Sequence, residues 1–70
     1  MADVPRMYSL VTFEPYGPWE LYPFKQDTIF VFLGEIPDME GHCIVIEKGS
    51  SEVHVGYHTE NFHEIPKNDL

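Results

Sequence analysis

The sequence predicts an all-β fold, a small five-stranded barrel or a strongly bent antiparallel sheet with no long helix. Three observations carry this. Six prolines and five glycines interrupt the chain every few residues. No apolar stripe of helical spacing continues for about ten positions. The apolar runs are short and rich in Val, Ile, Phe and Tyr, the residue types that fit a pleated surface. At 70 residues the chain holds one small domain, because a core of this size rarely supplies more than about 3–5 kcal/mol. That domain is expected over residues 6–65. The polar ends, 1–5 and 66–70, each have a proline at the inner edge (Pro5, Pro66) and read as tails.

Met7 to Phe13 (MYSLVTF) is the first expected strand, followed by a loop with Pro15, Gly17 and Pro18. Trp19 to Phe24 (WELYPF) is expected to be extended, and Pro23 confines it to an edge or bulge because proline cannot donate to a central ladder. Thr28 to Leu33 (TIFVFL) is apolar without alternation, so both of its faces should be covered. Gly34 to Gly41 (GEIPDMEG) reads as a loop between two glycines. His42 to Lys48 and Glu52 to His58 flank a Gly49-Ser50 turn and form a hairpin. A two-residue loop, or a four-residue loop closing on Glu47 and Glu52, places Ile46 opposite Val53 and Ile44 opposite Val55. Either loop gathers four β-branched side chains on one face, whereas a one-residue slip would mix apolar with polar. The expected core is therefore Ile29, Val31, Ile44, Ile46, Val53, Val55 and Phe62. A turn at Thr59-Glu60-Asn61 leads into a last strand, Phe62 to Ile65.

Two segments carry a family resemblance. Glu20-Leu21-Tyr22-Pro23-Phe24 resembles the ALYDY-type opening of a Src-homology-3 domain. Gly56 to Phe62 (GYHTENF) resembles the glycine, short helical turn and aromatic that precede the last strand of that fold. The resemblance covers about residues 20–65 and implies an SH3-like barrel shape. The tandem tryptophans of the peptide-binding family are absent and the single tryptophan, Trp19, lies before the match, so no ligand specificity is carried over.

Charge restricts the partners. Twelve Asp plus Glu against four Lys plus Arg give a formal net charge of −8. Arg6, Lys25, Lys48 and Lys67 stand apart and make no basic stripe. Direct nucleic-acid binding is not expected, nor is attraction to an anionic membrane. No apolar run approaches a membrane span and the first residues lack a signal-peptide pattern, so a cytoplasmic protein is expected.

The chemistry-bearing side chains point away from catalysis and metal binding. One cysteine excludes an internal disulfide. The hairpin register sets Cys43 opposite Gly56, with His54 and His58 as diagonal neighbours at roughly 7–8 Å. His54 and His58 are themselves about 13 Å apart along the strand, too far to share an ion. Cys43 lacks the electropositive surroundings that stabilise a thiolate. Glu47 and Glu52 face one another at a wet hairpin tip, which reads as a solvated rim. Glu35, Asp38 and Glu40 lack the oxygen density of a calcium loop. No catalytic residue, metal or cofactor is expected.

The aromatics are the most informative feature. Tyr8, Phe13, Tyr16, Trp19, Tyr22, Phe24, Phe30 and Phe32 concentrate them in residues 8–32. A core one side-chain layer thick is not expected to bury them all. Tyr16, Trp19, Tyr22 and Phe24 are therefore the expected interaction surface, in a stretch where aromatics alternate with proline. A lid across the open end of the barrel is the structural alternative for this segment. The functional expectation is a non-enzymatic module that docks a protein partner or its own copies. An acidic inhibitor that mimics nucleic acid and blocks a basic site is the alternative. A small oligomeric enzyme with its site on a symmetry axis is a third class, without matching residues.

Overall fold

A computed structural model describes residues 4–66. The strands are β1 (Leu10–Phe13), β2 (Ile29–Ile36), β3 (Met39–Glu47), β4 (Val53–His58) and β5 (Phe62–Glu64). They form one antiparallel sheet in the order β4-β3-β2-β1-β5, whose ends do not pair. The fold is all-β, as the sequence predicts, and the sheet is bent rather than closed. Two three-residue 3-10 turns, Trp19–Leu21 and Thr59–Asn61, are the helical elements among the described residues. No helix there is long and apolar enough to cross a membrane. The expected tails, 1–5 and 66–70, fall mostly outside the described residues.

Local chemistry moves several boundaries. β1 begins at Leu10, not Met7, because the chain turns at Arg6–Ser9. There the Ser9 N–H and hydroxyl both donate to the Arg6 carbonyl, at 3.0 and 2.6 Å. Trp19–Leu21 winds into a 3-10 turn in place of the expected extended run, with the Leu21 N–H donating to the Pro18 carbonyl at 3.1 Å. The expected Gly34–Gly41 loop contracts to Pro37-Asp38, and β2 and β3 extend to meet it. Gly34 lies inside β2 at a register shift, with φ of 119°, a glycine marking a bulge instead of a strand end.

The hairpin has the expected register and the opposite orientation. Ile46 pairs with Val53 and Ile44 with Val55. The loop is the four-residue form, closed by the Glu47 N–H donating to the Glu52 carbonyl at 2.8 Å. Its β-branched face nevertheless points away from the core. Ile29, Val31, Ile44 and Ile46 are half-buried, and Val53 and Val55 are 51% and 61% exposed. The core is Val11, Phe13, Phe24, Phe30, Phe32, Cys43, Val45 and Phe62, so Phe62 is the one expected core residue found there. The reason lies in the phenylalanines. Phe13 packs against Phe24 and Phe62 at ring separations of 4.8 and 5.1 Å, and Phe30 against Phe24 and Phe62 at 5.0 and 5.5 Å. An aromatic side chain buries roughly 150–250 Å², so at ~25 cal/mol per Å² the aromatic face outweighs the Val and Ile face. Strand alternation then sends Ile44 and Ile46 outward.

Candidate functional site

The segment from Glu14 to Phe24 leaves β1 and folds back over the aromatic core. Phe24 is buried at 6% exposure. Trp19 and Tyr22 are half-buried and pack edge-on against Phe13, at 5.7 and 4.9 Å between ring centroids. Tyr16 projects into solvent at 64% exposure, as does Leu21 at 73%. The four residues expected to form one surface therefore divide. Phe24 belongs to the core, Trp19 and Tyr22 cover it, and Tyr16 stands at the outer edge.

Beside Tyr16 lies an open groove of about 430 Å³ lined by Glu14, Pro15, Tyr16, Glu60, Asn61 and His63. One wall is the segment that directly follows β1; the other is the 3-10 turn Thr59–Asn61 and the start of β5. Backbone and side chain lace the walls together. The Glu14 N–H donates to the Asn61 carbonyl at 2.7 Å, and the buried Asn61 carboxamide donates to the Glu14 carbonyl at 2.7 Å. The Tyr16 hydroxyl donates to the Glu60 carboxylate. That bond to an anion holds the phenol protonated and pushes its pKa up to about 12. His63 Nε2 lies 3.4 Å from Glu14 Oε2. The result is a shallow acidic groove with an aromatic side and walls pinned to the sheet.

The histidines and the cysteine do not meet as the spacing suggests. Gly56, with φ of 92°, bulges out of β4, so Cys43 faces Tyr57 and His42 faces His58. The His42 and His58 rings lie 4.5 Å apart. Cys43 is fully buried, and desolvation is the main cause that pushes its thiol up to about 11, the direction opposite to that of an activated cysteine. Glu35, expected in a loop, lies in β2 and accepts a hydrogen bond from the Thr59 hydroxyl at 2.9 Å.

The Glu47–Glu52 pair departs from a solvated rim. Glu47 reaches inward, and its Oε2 lies 2.7 Å from Nε2 of His54, a buried residue. Glu52, Glu47 and His54 bring one ligand atom each to within 4.8 Å of one another. Sequence reasoning set Glu47 opposite Glu52 but missed His54 as their third member. Strand alternation carried the signal, because positions 52 and 54 of one strand share a face.

Comparison with family models, curated proteins and solved structures finds no match to this chain.

Proposed function

We propose that this protein is a non-enzymatic interaction module that docks a basic, extended segment of a protein partner in the Tyr16 groove. The carrying observation is the groove itself, where Glu14 and Glu60 flank the exposed Tyr16 ring and Pro15. An arginine entering it would stack on the Tyr16 face and pair with a carboxylate in a charge-assisted hydrogen bond. A surface at −8 adds long-range attraction for such a segment. The fold proposed to carry this site is SH3-like, supported by the 3-10 turn Thr59–Asn61 directly before the last strand.

Fluorescence anisotropy of a labelled Arg- and Leu-containing peptide tests the docking. Saturable binding is expected, weakened by salt and lost in both Tyr16→Ala and Glu60→Lys. Equal binding by the parent and both variants would contradict it. Competition of the same peptide by a basic nucleic-acid-binding domain, with no dependence on Tyr16, would favour the acidic-mimic alternative.

A second reading concerns self-association and rests on the outward sheet face. Leu10, Val31, Ile46 and Val53 stand in one row across four strands, with Ile44 and Val55 in the next. No acidic residue interrupts these rows, and contiguous exposed apolar area of this kind marks contact surfaces. A homo-oligomer formed here would tighten with salt and be lost in Val55→Lys. Sedimentation showing a monomer at high concentration and high salt would remove this reading.

A further inference from the structure

We propose that Glu47, Glu52 and His54 form a binding site for one divalent transition-metal ion of the zinc class, at the end of the β3–β4 hairpin and apart from the Tyr16 groove. The donor set is one imidazole nitrogen and two carboxylates, a combination that zinc accepts while water completes the coordination. Glu47 and His54 lie on the inner side of the sheet, and exposed Glu52, just before β4, brings a carboxylate oxygen within reach of both. His54 is 7% exposed, and its ring is held edge-on between Phe24 and Phe30, with centroids at 5.1 and 5.9 Å. Packing on the ring thus fixes Nε2 in the direction of Glu47, the kind of support that orients a metal-ligating histidine.

The charge around the cluster is unbalanced. Among the described residues, His54 is the basic side chain within ion-pair distance of Glu47, and Glu52 has none. Two carboxylates therefore share one imidazole at this end of the sheet. A divalent cation cancels both charges.

The geometry needs a small closure. Around an ion at zinc's 2.0–2.2 Å bond lengths the ligand atoms stand about 3.3–3.6 Å apart, so the 2.7 Å contact of His54 with Glu47 opens slightly while Glu52, within 4.8 Å of both, closes in. Glu52 can make that movement, because it is exposed and its carboxylate has no hydrogen bond among the described residues. The 2.7 Å contact between His54 and Glu47 holds a proton. An ion bound there would take the Nε2 lone pair, which requires the ring proton to sit on Nδ1.

The test titrates zinc chloride alone into chelator-treated protein, followed by calorimetry and by the histidine ring signals in NMR. One equivalent is expected to bind, to shift the His54 ring signals and to raise the melting temperature. Glu52→Gln is expected to weaken zinc at least tenfold, and a metal-free melt of the same variant checks that its fold is kept. His58→Asn is expected to leave the affinity unchanged. Zinc binding that survives Glu52→Gln and disappears in His58→Asn would overturn the proposal by placing the ion on the stacked His42–His58 pair. Absence of binding at ten equivalents of zinc would overturn it outright.

Discussion

Single side chains show most directly which face of the sheet is inside. Phe30 is fully buried among Phe24 and Phe62, while Val55 is 61% exposed. Phe30→Ala is therefore expected to cost about 3–5 kcal/mol, which unfolds most of a domain this small. Val55→Thr is expected to stay within about 0.5 kcal/mol of the parent in chemical denaturation. A large loss at Val55 with little change at Phe30 would mean that the Val and Ile face is the core after all. A second residue-scale effect depends on pH. The Arg6 backbone N–H donates to Glu64 Oε2 at 2.9 Å and its guanidinium to Oε1 at 3.1 Å, and these bonds hold the Glu64 carboxyl below the usual range. A carboxyl lowered in the folded state stabilises above its unfolded pKa, and the benefit disappears as pH falls through the folded value. The stability difference between the parent and Glu64→Gln should thus be present at neutral pH and vanish in acid. A difference that persists unchanged into acid would show that the ion pair is not its source.

At the level of strands and turns, much was legible in the sequence. The hairpin register followed from matching apolar positions, because any one-residue slip opposes Ile46 to a polar side chain. The last strand followed from the turn at Thr59-Glu60-Asn61, which the structure winds into a 3-10 turn. The facing direction was not legible from the hairpin alone. Ile44, Ile46, Val53 and Val55 look like a core face until they compete with the phenylalanines of β1, β2 and the 14–24 segment, which lie far away in sequence. Glycine positions also misled. Gly34 and Gly56 read as a loop edge and a strand interior, whereas both are bulges with positive φ. The Gly56 bulge is what moves Tyr57 opposite Cys43 and His58 opposite His42. A side chain there meets no neighbour, so its cost is backbone strain alone. Gly56→Ala is expected to destabilise by roughly 1–2 kcal/mol. Parent-like stability, with His42 and His58 still in contact by NMR, would show that the bulge does not depend on glycine.

For the whole molecule, the bend of the sheet separates three surfaces that the sequence did not distinguish. Its inner side holds the aromatic core, with Glu47 and His54 at one end. The outer side carries the half-exposed Val and Ile rows. The Tyr16 groove opens where the segment that directly follows β1 meets the 3-10 turn before β5. The stretch from Tyr16 to Phe24 was legible as special, since so many aromatics among prolines exceed what a thin core requires. Its division into an inward part and the outward Tyr16 was not, because it depends on the 3-10 turn at Trp19–Leu21. The central claim is that the outward part, together with Glu14 and Glu60, receives a basic segment. Its most direct test is a two-dimensional amide NMR map of the protein titrated with the Arg- and Leu-containing peptide. The expected result is a set of shifts confined to Glu14–Tyr16 and Glu60–His63, with Val53, Val55 and the β3 outer face unmoved. Shifts centred on Val53 and Val55, or none at saturating peptide, would contradict the claim.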